Sequence, residues 1–193
     1  MTSFVLATAN AHKASEMRAV LAPFGVDVER RPVDLPEVPE TADTLEGNAL
    51  LKAWAVCESV GRAAIADDTG LFVQALNGAP GVYSARYAGP DASDADNVDK
   101  LLSALSEVPP PRRAHFRTVI AVAFPGGESL IVDGTLEGSI VEAPRGAGGF
   151  GYDPVFAADD LNGRTLAEVS TAEKNSVSHR SRALRALVAA IVS

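Results

Sequence analysis

Cysteine is almost absent: Cys57 is the only one in 193 residues. A disulfide within the chain is therefore excluded, and so is a thiolate zinc cluster. Cys57 lies at helical spacing among the apolar residues of "LLKAWAVCESV", the setting of a small buried hydrophobe. Long apolar runs are missing too, since nothing approaches the roughly 18 residues of a membrane span. The opening "MTSFVLATANAHK" has no basic stretch before its brief apolar run, so the expected compartment is the cytoplasm, with no membrane partner. Positive charge is scarce. Seventeen Lys and Arg against 25 Asp and Glu leave a formal charge of −8, which repels a polyphosphate backbone. Nucleic acid is not an expected partner, but a small anionic ligand is compatible. The P-loop pattern GxxxxGK[ST] is also absent.

What the chain does contain is 47% hydrophobic residues, enough for one globular domain, or one domain with a lobe. Strand-like and helix-like runs alternate. "SFVLAT" reads as a strand, "KASEMRAVLAPFG" as a helix ending near Pro23 and Gly25, and "VDVER" as a second strand, giving a β-α-β opening. After a loop rich in Pro and acid, Leu45, Ala49, Ala53 and Cys57 recur along a long amphipathic helix stopped by Gly61. "AAIAD" is a short buried strand and "DNVDKLLSALSEV" a helix. "AHFRTVIAVAF" and "ESLIVDGTLEGSIV" flank Pro125, Gly126 and Gly127 as a long hairpin. A glycine-rich loop, a short strand "VFAA" and a C-terminal helix complete the chain.

Four segments carry candidate chemistry. "TANAHK", residues 8 to 13, joins the first strand to the first helix, where backbone N–H groups and the helix dipole favour an anion. Thr8 and Asn10 offer hydrogen bonds there and Lys13 a charge, although a capped helix start with a solvated lysine reads equally well. "GAGGFG" matches GxGxxG but follows Pro144 and runs into Pro154 instead of opening a helix, so a dinucleotide site fails on context. Such a loop can still bring backbone and Phe150 or Tyr152 against a flat ligand; the alternative is a flexible surface turn.

"AEKNSVSHRSR" concentrates Lys174, His179, Arg180 and Arg182. On one continuous helix, Lys174 and Arg180 lie about 120° apart and share no face. If both meet one ligand, a helix begins with His179 and Arg180 in its first turn; the capping box Ser170 to Glu173 instead favours one long helix. "AIADDTG" sets Asp67 beside Asp68. Neighbours on a strand point to opposite faces, so both meet one ion only if the strand has ended, and the chain is expected to turn there. Carboxylates suit Mg²⁺; the alternative makes one aspartate a helix cap and the other a surface charge. His12 and His115 have no metal-ligand spacing.

Together, "TANAHK", "TLEGNALLKA", "IADDTGL", "GAPGVYSARYAG", "GGFGYDPVF" and "EKNSVSHRSRAL" resemble the inosine triphosphate pyrophosphatase family, the dITP/XTP pyrophosphatases, in order from Thr8 to Leu184. The resemblance implies an elongated α/β fold of one domain, with a central mixed sheet flanked by helices and two lobes with a substrate cleft between them, usually as a homodimer. It also implies Mg²⁺-dependent hydrolysis of ITP, dITP and XTP to monophosphate and pyrophosphate. By the family pattern, Thr8, Asn10 and Lys13 contact the triphosphate within a stretch that includes Ala9, Ala11 and His12. Asp68 is proton acceptor and metal ligand, Asp67 its partner at the metal, and Thr69 a substrate contact. Phe150, Gly151, Tyr152 and Asp153 resemble the base-binding loop, completed by Lys174, His179 and Arg180. Many members carry an acid directly before the "NA" of the second motif; here Gly47 stands there and the acid is Glu46, so either Glu46 reaches the cation from a distorted helix start or water replaces it. A haloacid-dehalogenase-type phosphatase needs D-x-D, whereas this pair is contiguous. A nucleotide sensor that does not hydrolyse would share the binding motifs.

Overall fold

The first strand forms because Phe4, Val5 and Leu6 are apolar and buried, and it ends where the polar loop from Thr8 begins. In the computed structural model, which describes residues 2–192, β1 (Thr2–Leu6) leads into α1 (Ala11–Leu21), and β2 (Val26–Glu29) returns parallel to β1. This is the expected β-α-β opening. α2 (Leu45–Val60) is capped by Thr44, whose hydroxyl accepts from Gly47 N, and is stopped by Gly61 at φ 64, a left-handed conformation that favours glycine. Its stripe of Leu45, Ala49, Ala53 and Cys57 is buried as the spacing requires.

β3 (Ala64–Val73) lies parallel to β1 and is ten residues long, about twice the expected strand. β4 (Pro80–Gly81), α3 (Asp94–Ala104), β5 (Arg112–Ala123) and β6 (Ser129–Ile140) follow. The turn between β5 and β6 is closed by Phe124 N donating to Glu128 O. β7 (Phe156–Ala158) pairs antiparallel with β6, and two helices, α4 (Thr171–Val177) and α5 (His179–Val192), end the chain. Among the described residues, seven strands form one mixed sheet in the order β2-β1-β3-β5-β6-β7, with β4 beside β3. None of the described helices is long and apolar enough to cross a membrane.

The chain divides into two compact units, the boundaries falling inside β3, β5 and β6. The first comprises 1–68, 118–134 and 179–193, and its core is built from Phe4, Leu6, Met17, Leu21, Ile65, Ile120 and Leu184. The second comprises 69–117 and 135–178, and buries Leu71, Leu101, Leu105, Phe116, Leu136, Tyr152 and Phe156. Each unit therefore has its own hydrophobic source of stability, about 1.5 to 3 kcal/mol for each large apolar side chain fully buried.

Candidate active site

The two aspartates sit inside β3, not beyond its end. The expected turn at "DDTG" is absent: the strand runs on through Thr69 to Val73, and Asp67 and Asp68 are both buried. Alternation along the strand accordingly sends them to different partners.

Asp67 is met from α1 and α5. Its Oδ2 accepts from Arg180 Nε at 3.2 Å and Nη2 at 3.0 Å, and lies 3.1 Å from Lys13 Nζ. Arg180 is itself buried, and its Nη1 donates to Glu16. α5 can deliver Arg180 because its first turn packs closely on β6: a Cβ on Gly134 would lie 2.4 Å from His179 O. His179 shares a buried 2.6 Å hydrogen bond between its Nδ1 and Thr118 Oγ1. The two helix starts weighed from the sequence both exist. Ser170 and Glu173 form the capping box of α4, the backbone becomes extended at Ser178, and α5 begins at His179.

Asp68 is met from α2. Its Oδ1 accepts from Lys52 Nζ at 2.8 Å, and the same ammonium donates to Glu40 Oε1 at 3.0 Å. The two carboxylate oxygens are thus no more than about 5.8 Å apart. Asp68 Oδ2 is buried with no hydrogen-bond partner among the described residues.

Electrostatics separate the neighbours. Burial acts to raise the pKa of Asp67, but Lys13, Arg180 and Lys52 prevail and hold its carboxyl well below the usual carboxylate range. For Asp68, burial is opposed by Lys52 and reinforced by Glu40, and the carboxyl lies above its ordinary value. Lys52 is depressed by burial but raised more by Asp68, Asp67 and Glu40, so it stays charged. Two adjacent carboxyls pushed in opposite directions are the pattern of divided acid–base roles.

Glu40, Lys52 and Glu16 are absent from the sequence-derived site. Only the acid-rich composition of the loop before α2 hinted at Glu40. The structure also accounts for Gly47. A Cβ there would come 2.6 Å from the Ala42 methyl, because the loop folds back over the helix start, with Ala42 N donating to Asn48 Oδ1 at 3.0 Å. The acid beside Asp68 and Lys52 comes from that loop, as Glu40.

The loop from Thr8 to Lys13 is internally tied. Thr8 Oγ1 accepts from Asn10 N, and Asn10 Oδ1 caps α1 by accepting from the N–H groups of His12 and Lys13. The Thr8 hydroxyl proton and the Asn10 amide N–H groups keep their capacity to donate to an anion. Ala9, Ala11 and His12 are exposed.

In the second unit, Thr69 is half-buried on β3. The glycine-rich loop is fastened at its C-terminal end. Asp153 Oδ2 accepts from Phe150 N at 2.9 Å and from Lys174 Nζ at 2.6 Å, and Gly151 N donates to Asp94 Oδ2 at 2.7 Å. Gly149 has φ 73, and a Cβ there would lie 2.1 Å from Asp153 Oδ2, so this position requires glycine. Tyr152 is a core residue whose hydroxyl donates to Ser84 O. Of the two aromatics, Phe150 is the one available to stack: it is half-buried, with Lys174 Nζ 4.5 Å from its ring centre.

A profile of the Ham1 family matches residues 4–190. The dITP/XTP pyrophosphatase of Geobacillus kaustophilus is 50% identical over 190 residues, covering 97% of this chain and 93% of that protein. That of Streptomyces coelicolor is 46% identical over 193 residues, covering 97% and 96%. Among solved structures, a HAM1 protein from Coxiella burnetii superposes with a TM-score of 0.89 at 40% identity, covering 100% of this chain and 99% of that one. The nucleoside-triphosphatase, or dITP/XTP pyrophosphatase, of Mycobacterium abscessus gives 0.76 at 43%, covering 96% and 97%. With a match over nearly all its length and relatives near half identity, this chain belongs to the Ham1 family.

Proposed function

We propose that the protein hydrolyses the non-standard purine nucleoside triphosphates dITP, XTP and ITP to the nucleoside monophosphate and pyrophosphate, in the cytoplasm and as a homodimer. Full-length relatives bearing the name dITP/XTP pyrophosphatase support the substrate class. The observation that carries the chemistry is Asp68, a buried carboxylate with a raised pKa and one oxygen left without a partner.

In this reading, the α–β phosphoanhydride breaks as water adds, and Asp68 Oδ2 orients that water and accepts its proton. A carboxyl raised above the ordinary aspartate value is a better base than a free one. Lys13 and Lys52 exchange part of their carboxylate contacts for phosphate oxygens, and Thr8 and Asn10 donate to the same group. Asp67, held by two N–H groups of Arg180, remains a fixed anion.

Mg²⁺ fits the donor set. It favours hard oxygen ligands, and is commonly held by one or two carboxylates with water and substrate phosphates completing the shell. Asp68 and Glu40 would hold it, while Asp67 is already met by Lys13 and Arg180. When bound, it would supply positive charge opposite the departing pyrophosphate.

Arg180 is buried against Asp67 and Glu16 and Lys174 against Asp153, so burial does not choose between them as readers of the base; Lys174 is the one that lies beside an aromatic ring. We assign that task to Lys174 beside Phe150. An ammonium donates and never accepts, so it suits the keto O6 of hypoxanthine or xanthine; the amino group of adenine there would lose roughly 1 to 3 kcal/mol.

The test is a product assay with Mg²⁺ and dITP, XTP, ITP, ATP or GTP. Pyrophosphate with monophosphate from the first three is expected. Release of orthophosphate, or binding without product, would overturn the reading. Sedimentation of the purified protein tests the dimer.

A further inference from the structure

We propose a second anion site, for phosphate-bearing ligands, in the groove between α1 and the segment 30–33. The groove has a volume of about 540 Å³, within the usual range of roughly 300 to 1,000 Å³ for small-ligand pockets. Arg18 lines it from α1, and Arg30 and Arg31 from the segment after β2, with the hydroxyls of Thr8 and Ser15 alongside. In a chain of net charge −8, three arginines line one groove, and no carboxylate is among its described lining residues.

The arginines are unequally committed. Arg31 Nη2 donates to Pro36 O. Arg18 Nε donates to Val28 O at 3.3 Å, while its Nη2 is buried with no hydrogen-bond partner among the described residues. A buried N–H of a charged group without an acceptor is unfavourable, and a phosphate oxygen would remedy it. The planar fork of a guanidinium matches paired phosphate oxygens. No aromatic side chain is among the described lining residues, so recognition rests on phosphate and not on a base.

This groove is not the Asp67 cluster. At 100° per residue, Lys13 and Glu16 lie about 140° and 160° round α1 from Arg18, so the helix presents different faces to the two. Thr8, Ala9 and Ala11 line the groove and also belong to the loop that carries Asn10 and Lys13, with Thr8 Oγ1 accepting from Asn10 N. An occupant would therefore touch the loop that carries Asn10 and Lys13. The ligand is a di- or triphosphate, either free pyrophosphate or the phosphate tail of a second nucleotide.

The proposal stands apart from the proposed activity, because binding is read without turnover. Sodium pyrophosphate is titrated, in EDTA, into ¹⁵N-labelled full-length Lys13→Ala protein while the arginine Nε–Hε resonances are followed. Saturable shifts at Arg18 and Arg30 are expected, with sodium chloride at equal ionic strength failing to reproduce them. Adding Arg18→Gln and Arg30→Gln should weaken pyrophosphate binding by about tenfold or more, since two charge-assisted contacts are lost. Circular dichroism and the melting temperature check that the substituted protein is folded. ATP in EDTA forms the second arm: equal affinity identifies any polyphosphate tail as ligand, and failure to bind identifies free pyrophosphate. Shifts that do not saturate, shifts matched by chloride, or affinity unchanged by the double substitution in a folded protein would overturn the site.

Discussion

Asp67 and Asp68 are consecutive, alike in chemistry and both buried, yet their surroundings differ in almost every respect. Around Asp67, Arg180 and Lys13 converge on one oxygen, Glu16 shares the arginine, and the carboxyl is driven far towards its charged form. Around Asp68 a single lysine is shared with Glu40, and burial drives the carboxyl towards its neutral form. A carboxylate saturated by permanent cations is a fixed structural charge. One that is under-neutralised is primed to take a proton or a cation. Strand alternation lets two adjacent residues occupy these opposite conditions.

Removing Arg180 has the largest expected effect. Arg180→Met leaves Asp67 and Glu16 buried without their guanidinium, and the expected loss is about 3 to 5 kcal/mol in urea unfolding. The sign with pH follows from the lowered pKa. The contribution of Asp67 is fully present above the unfolded value of about 3.9 and is lost as pH falls towards the lower folded value, so the acid-labile part of stability should shrink in the variant. A variant as stable as wild type would show that the pair has no structural role.

Removing Glu40 sharpens the other side. Glu40→Gln should raise the Mg²⁺ concentration for half-maximal activity by about 10- to 100-fold if Glu40 holds or steadies the cation. A metal titration of turnover decides this; an unchanged midpoint would return the role to water.

Lys52→Met tests the smallest effect. Lys52 opposes the burial of Asp68, so without it the carboxyl should rise further. Since the base must be deprotonated, the acidic limb of kcat/KM against pH should move to higher pH. A limb that stays put or moves down would mean that Asp68 is not the titrating base.

Much of this was legible in the sequence where the signal is local. The β-α-β opening, the stripe on α2 and the capping box at Ser170 are set by neighbours a few residues apart, and each forms as read. The expected strand end at Asp67 failed because it assumed that both carboxylates serve one ion on one face. The chain instead kept the strand and used both faces. Glu16, Lys52 and Glu40 escaped notice for a different reason. Arg180 meets Asp67 113 residues away and Glu16 164 away, and no periodicity records such pairings. Likewise the contacts of Asp153 with Phe150 N and Lys174 join residues 3 and 21 apart, and only the first is local enough for the motif to suggest.

In the proposed reaction Asp68 is reactive and Asp67 structural. Turnover of XTP with Mg²⁺ and stability in urea, measured side by side for Asp68→Asn and Asp67→Asn, test it most directly. Asp68→Asn should lose about 10²- to 10⁴-fold in kcat with little or no loss of stability, since it removes an under-neutralised buried charge. Asp67→Asn should lose stability while keeping more of its turnover. Near-normal turnover in Asp68→Asn, or the reverse pattern between the two variants, would contradict the account.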